Sequence, residues 1–436
     1  MTLTHRLPHA LLVAAVAFAA TLAVLTAVAH HGHPAARASE TAFVPATSQS
    51  TDARIHSLQT AVRAAPRDPR GYAALAQAYL QKVRETGDAS YYSRASAVLK
   101  TAFELAPRSV EATVVAGALA LARHDFRGAL VLGMRARRLA PDLAAPYPVV
   151  VDSLIELGRY GEAGRALQRW VDIKPNLSSY ARVSYWRELH GDLAGAAAAL
   201  RAAISAGGDV AENGAYVQTL FGNVELQRGD LAAAERAFHA ALARFAGYVP
   251  ARAGLARLDA ARGRLPRAIH GYRGVVATLP LPEYVVGLGE TELAAGRTST
   301  GRRDLALVGA EERLLRANGV DTDVDLALFE AGHGSPARAV ALARRAWTAA
   351  PSVRSADALG WSLTRAGRPG SGLVYARLAL RLGSRDPLFL FHAGVAARAA
   401  GHGALARRRL AAALRANPRC SPLYAPQARA ILEALR

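Results

Sequence analysis

Residues 143–175 read LAAPYPVVVDSLIELGRYGEAGRALQRWVDIKP. Tyr147, Val150, Val151 and Leu154 fall at helical spacing, and Ala163, Leu167 and Trp170 do so again further on. Between the two stripes Gly158-Arg159-Tyr160 breaks the helix, and Pro175 ends the second helix because proline cannot continue one. The segment is therefore two amphipathic helices joined by a turn. Neither helix buries its apolar stripe alone, so the pair must stack on further pairs of its own kind.

Those further pairs are written into the rest of the chain. Glycine-centred turns recur at Gly158, Gly191, Gly229, Gly263, Gly296, Gly332, Gly367 and Gly401, in steps of 33, 38, 34, 33, 36, 35 and 34 residues. His124, in His124-Asp125-Phe126, stands 34 residues before Gly158 and opens the same kind of turn; Pro107, Pro141 and Pro175 keep the same interval of 34. A near-constant step of this size is one supersecondary unit repeated. The chain has 436 residues, more than one compact core usually holds, and the abundance of Ala suits helices packed closely side by side. After residue 50 there are no alternating runs that read as strand.

This pattern resembles the tetratricopeptide repeat. The opening unit matches with Tyr72, Leu75, Ala76 and Tyr79 on its first helix and Ala95, Leu99, Ala102 and Pro107 on its second. Later units match through Gly117, Ala129, Ala136 and Pro141; Phe221-Gly222, Ala234, Phe238 and Ala241; Leu255, Ala268, Tyr272 and Pro280; Leu359-Gly360; and Gly394, Ala406, Leu410, Ala413 and Pro418. The resemblance covers about residues 55 to 418 and implies an all-α, right-handed α-solenoid of about ten stacked helix-turn-helix units. Three departures mark places where regular curvature is expected to break. They are an enlarged turn over Val83 to Ser90, a long second helix near Arg302 to Ala317 with Gly301 at its small-residue position, and a short first helix around Gly332. The 38-residue step after Gly191 and the 36-residue step after Gly296 are also expected to kink the superhelix.

The N-terminus carries a different signal. Ala10 to Ala29 is a run of 20 residues with only Thr21 and Thr26 polar, preceded by His5 and Arg6. It is long enough to span a bilayer, and Ala27-Val28-Ala29 offers a small-residue cleavage site. The chain thus divides into a signal peptide or signal anchor helix (1–30), a flexible linker rich in Ala, Ser, Thr and Pro (31–54), the solenoid (55–424) and a capping helix (425–436). The expected location is the cell membrane with the solenoid on the extracytoplasmic side, or secretion if the segment is cleaved. His30, His31 and His33 are weak metal candidates, with no acidic neighbours to complete a ligand set.

Composition excludes more than it selects. Cys420 is the only cysteine, so no intramolecular disulfide or zinc cluster can form. Formal net charge is +20, yet Lys occurs only at Lys82, Lys100 and Lys174, a bias expected of a GC-rich coding sequence. There is no phosphate loop, no His-Glu-x-x-His motif and no nucleophile elbow; Gly287-Leu288-Gly289 lacks a third glycine. His190, His239, His270, His392 and His402 fall in separate units, and Glu311-Glu312 beside Arg313 reads as a solvated helix face. No enzyme activity and no cofactor are expected.

In tetratricopeptide arrays the first helices line a concave groove that holds the partner. Carried onto matching positions, the resemblance and helix phase select Gln77, Asp152, Tyr185, Tyr216, Asn223, Arg257, Glu290, Trp361, Arg365, Phe391 and Arg398, with Trp361 and Phe391 as apolar anchors. The implied function is a non-catalytic exported or membrane-anchored scaffold for a protein or peptide. The alternatives are an accessory subunit of an envelope transporter or metal-linked system, and an RNA-binding repeat protein, the last made unlikely by the export segment.

Overall fold

The computed structural model describes residues 50–208 and 210–435, and every regular element among them is an α-helix. The segment 1–30, the histidines at 30, 31 and 33, and most of the linker lie outside the described residues. Among the described residues no helix is long and apolar enough to cross a membrane. Helix α1 (Thr51–Ala64) begins inside the expected linker, because the Ser50 side chain accepts from the Ala53 N–H and caps it. Its Leu58 and Val62 pack on the first repeat, and Asp52 pairs with Lys82.

Ten helical units follow. They are α2 (Pro69–Thr86) with α3 (Ser90–Leu105), α4 (Val110–Ala122) with α5 (Phe126–Leu139), and α6 (Tyr147–Glu156) with α7 (Tyr160–Ile173). Next come α8 (Leu177–Leu189) with α9 (Leu193–Ala206), α10 (Ala211–Arg228) with α11 (Leu231–Arg244), and α12 (Val249–Ala261) with α13 (Leu265–Thr278). The seventh holds α14 (Pro282–Ala294), α15 (Thr298–Leu305) and α16 (Val308–Ala317). The last three are α17 (Asp323–His333) with α18 (Pro336–Ala349), α19 (Val353–Arg365) with α20 (Pro369–Ala379), and α21 (Pro387–Ala399) with α22 (Gly403–Ala416). Helix α23 (Tyr424–Ala434) caps the end.

One turn design recurs between the helices of eight units. Gly158, Gly191, Gly229, Gly263, Gly296, Gly367 and Gly401 all adopt positive φ, and His124 joins them at φ 62°. The residue after each donates its N–H to the carbonyl five residues back, as Asp192 does to Arg187 and Arg264 to Asp259, both at 2.9 Å. These are Schellman caps, which satisfy carbonyls left open at a helix end. At three of them the next residue is Asp125, Asp192 or Asp230, whose side chain caps the following helix. Gly332 departs from the expected ladder. It lies inside α17, which continues to His333; the break falls at Gly334 and is held by the Glu330 side chain accepting from the Ser335 N–H.

The other irregularities resolve similarly. Helix α2 continues through Thr86, so the enlarged turn shrinks to Gly87–Ala89. The expected long helix over 302–317 is broken at Ala306-Leu307 into α15 and α16. The 38-residue step is absorbed by an 18-residue α10, whose first turn carries Glu212 to Arg84 of the first repeat.

The layers follow from the burial pattern. Each second helix buries one stripe, such as Ala234, Phe238 and Ala241 in α11, and exposes the remainder. The first helices bury more of their circumference, and every residue of α6 is buried. First helices therefore form an inner layer and second helices an outer one. Small residues set the spacing. A Cβ added at Gly222 would stand 2.6 Å from the Phe238 ring, and one at Gly254 would strike the same ring, so Phe238 fits only because both are glycine.

The superhelix also closes on itself. The turn within each of the first five repeats meets the loop that follows the repeat five units later. Gly87 faces Leu279, His124 faces Asp321, Gly158 faces Pro351 and Gly191 faces Gly383. The end of α10 completes the series, where the Asn417 amide donates to the Leu226 carbonyl at 2.9 Å. The Asp321 N–H donates to the Arg123 carbonyl at 3.0 Å and the Val353 N–H to the Tyr160 hydroxyl at 2.8 Å. Successive turns of the superhelix thus abut along a continuous seam, and α16 with Gly319 brings Asp321 to it.

Candidate functional site

Closure of the seam decides what the inner face can do. Trp361 and Phe391, expected as groove anchors, are each 1% exposed and pack with His392 and Tyr424 in the core. Gln77, Asp152, Tyr216 and Glu290 are buried as well. Tyr185, Asn223, Arg257 and Arg365 are half-buried, and Arg398 alone is exposed. In this closed arrangement most of these first-helix residues meet one another.

Their contacts are polar and mutual. The Arg182 guanidinium donates to both Asp152 carboxylate oxygens, at 2.9 and 3.3 Å. Arg84 and Gln81 both donate to Glu212 at 3.2 Å, four repeats away, and Tyr216 sits among Arg182, Asp152, Glu212 and Arg84. The Tyr185 hydroxyl donates to Glu156 at 3.3 Å, and Arg257 donates to Asn223. Glu290 pairs with His333 at 3.0 Å, and Arg365 donates to the Ala331 carbonyl while lying over the Trp361 ring.

Carboxylates outnumber their cationic partners inside, and the protonation states respond. Burial pushes the Glu188 carboxyl up to about 8, Glu283 up to about 7 and Asp386 up to about 6; Asp386 also adds to the rise at Glu188. Glu290 is raised well above the usual carboxylate range by burial. Burial lowers His333 to about 4, with Arg365 adding to the effect. Glu156 and Asp325 are raised by burial against the pull of Arg354, whose own charge they and Tyr185 stabilise. Glu188, Glu283, Asp325 and Arg354 each keep some contact with water while lying deep in the protein, which places them on an enclosed, wetted inner surface.

Sequence reading missed these cross-axis groups because Arg84 and Glu212 are 128 residues apart. Only the seam brings them together. Among the described residues no cluster of three or more His, Cys, Asp and Glu has the geometry to hold a metal ion. Burial drives the Cys420 thiol up to about 12, which leaves it unreactive near neutral pH.

A cleft opens where the first helix α10 meets the second helices α9 and α11. Arg201, Phe221, Glu225, Arg228, Asp230 and Arg236 line an open depression of about 410 Å³ where α9, α10 and α11 meet. The Arg201 guanidinium lies 5.8 Å from the centre of the Phe221 ring, and Arg228 pairs with Glu225 at 2.8 Å.

Comparison with known proteins agrees with the repeat reading. The tetratricopeptide repeat family model matches residues 225–299, and the chain resembles that family. No curated protein sequence matches. Among solved structures, the APC/C hetero-tetramer Cut9-Hcn1 is 14% identical, covering 88% of this chain and 93% of that one, with a TM-score of 0.33. Human IFIT1, a dimer with PPP-AAAA, is 15% identical over 76% of this chain and 78% of that one, with a TM-score of 0.48. A tetratricopeptide repeat protein from Parabacteroides merdae is 14% identical over 59% of this chain and 98% of that one, with a TM-score of 0.34.

Proposed function

We propose that this chain is a non-catalytic repeat scaffold, exported or held at a membrane by its Ala10–Ala29 segment, that binds a protein or peptide segment on its outer face. The observation that carries the site is the cleft where the first helix α10 meets the second helices α9 and α11, with Phe221 half-buried in its wall. The cleft at Phe221 suits one apolar side chain of a peptide beside an acidic one, because Arg201 and Arg236 flank the half-buried ring. An apolar anchor ringed by charge is a common build of a binding spot.

Site-specific photo-crosslinking tests this in the full chain. A photo-reactive side chain at Gln218, on the cleft wall, is expected to give a discrete adduct in cells, and one at Ala399, which is exposed on α21, is expected to give none. No adduct at Gln218, or the same adduct at both positions, would overturn the cleft as the partner site.

A further inference from the structure

The cleft borders the last contact of the seam. Along α10 its lining falls on one stripe, Gln218, Phe221, Glu225 and Arg228, at helical spacing. The stripe ends where the Asn417 amide donates to the Leu226 carbonyl at 2.9 Å. That bond brings the loop after repeat ten to the end of α10, with Arg228 and Arg419 each two residues from it. Arg419 is exposed, and its N–H donates to the Asn417 side chain at 2.8 Å. Arg429, also exposed, donates to the Pro418 carbonyl at 3.2 Å. The loop thus sets two more arginines beside Arg201, Arg228 and Arg236 of the cleft.

The seam is thinner here than at the earlier turns. A Cβ added at Gly87, Gly158 or Gly191 would run into the facing loop. Among the described residues, nothing lies within 4 Å of one at Gly229, so a notch stays open between the cleft and the C-terminal loop. The two carboxylates that line the cleft are already engaged. Glu225 is buried and stands 2.8 Å from Arg228 and 4.0 Å from Arg201, and Asp230 accepts from the Ala233 N–H to cap α11. Arg236, Arg419 and Arg429 have no carboxylate within 4.0 Å among the described residues, and between residues 366 and 435 the only exposed carboxylate is Glu433.

We propose that the partner segment is an acidic polypeptide that seats an apolar side chain on Phe221 and runs through the Gly229 notch to Arg419 and Arg429. It bridges repeat five and the C-terminal loop, which are distant in sequence and joined only across the seam. The proposal rests on the cleft reading above and adds the partner's charge and its path. A run of roughly six extended residues, about 20 Å, reaches from the Phe221 ring past Asn417. Opposite charge along that path both attracts the segment and fixes its direction. A bilayer fits less well, because cleft and notch are concave. A single-stranded nucleic acid also fits less well, because Phe221 is the one aromatic ring lining the cleft and such sites stack successive bases.

The probe is a fluorescent ten-residue peptide, one Phe followed by a run of Glu, compared with its Lys counterpart on the full chain in neutral detergent. The Glu probe is expected to bind about tenfold or more tightly than the Lys probe at low salt. Its Kd should rise about tenfold in R419Q/R429Q, recover in R419K/R429K, and stay unchanged in R344Q/R377Q, whose arginines lie on α18 and α20. A photo-reactive side chain at Pro418, exposed in the loop, should capture the same probe as one at Gln218. Equal losses in the two Gln pairs would report the charge of the whole chain and overturn the proposal, as would capture at Gln218 without capture at Pro418. Absence of a preference for the Glu probe overturns it too, yet leaves the cleft standing wherever the Gln218 adduct still forms in cells. Loss of that cellular adduct removes the cleft and this proposal together, and an adduct that ribonuclease destroys reassigns the site to nucleic acid and overturns it.

Discussion

Gly158 and Gly263 share a backbone conformation and differ in surroundings, so one substitution at each isolates the seam. Their φ values are 71° and 76°. Alanine pays the left-handed strain at both positions, about 1–2 kcal/mol. At Gly263 nothing lies within 4 Å of the added Cβ, so that strain is the whole cost. At Gly158 the Cβ would run into the Pro351 carbonyl oxygen and stand 3.1 Å from its carbon. That carbonyl is backbone and cannot rotate away, so relief requires the two turns of the superhelix to separate. Overpacking of this kind adds about 1–3 kcal/mol. Gly158→Ala should therefore destabilise by about 2–5 kcal/mol, against about 1–2 for Gly263→Ala. Urea unfolding measures both, and hydrogen exchange at the Val353 amide, which donates to Tyr160 across the seam, reports local opening. Faster exchange is expected in Gly158→Ala alone. Equal losses in the two variants, with unchanged Val353 protection, would refute the seam as an energetic contact.

Two further outcomes follow from the inner surface. Stability should fall as pH rises from 6.5 to 8. Glu188 has an unfolded value of 4.5 and a folded value of about 8, so in that window the folded state binds more protons. Glu283 acts in the same sense up to about 7, whereas the opposite effect of His333 spans about 4 to 6.5 and is spent above it. Melting temperatures of wild type and Glu188→Gln across this range check it: a shallower slope in the variant is expected, and an identical slope contradicts the assignment. Separately, Arg182→Ala should cost about 3–5 kcal/mol by leaving the buried Asp152 charge uncompensated. The double change Arg182→Met/Asp152→Leu should recover most of that loss in urea titration, and no recovery would mean that packing and not charge holds the pair.

Local order was legible in this chain and long-range order was not. The turns could be read because each rests on a few adjacent residues: a positive-φ glycine, an aspartate cap and a proline stop. His124 was legible for the same reason, since its phase matched the glycines although its residue type did not. Gly332 misled because a glycine in phase resembles a turn, yet Glu330 and Ser335 hold the break two residues later. The solenoid's curvature was not legible at all. It depends on how α10 lengthens and α16 inserts, and small changes in angle per repeat accumulate over five units. The groove residues were placed correctly on first helices by helix phase, but their exposure depended on that curvature. Trp361 and Phe391 accordingly became core.

The closed seam and the raised inner carboxyls are linked physically. A superhelix open along its axis would leave Glu188, Glu290, Asp325 and Asp386 facing bulk water, where carboxylates ionise near their ordinary values. Closure removes most of that water and raises the carboxyls, Asp386 to about 6 and Glu188 to about 8, so Glu188 holds its proton at neutral pH. The arginines cannot respond in the same way, because guanidinium keeps its proton at any accessible pH. Glu188 can therefore lie inside as a neutral group, whereas Glu212 and Glu225 lie inside paired with Arg84 and Arg228.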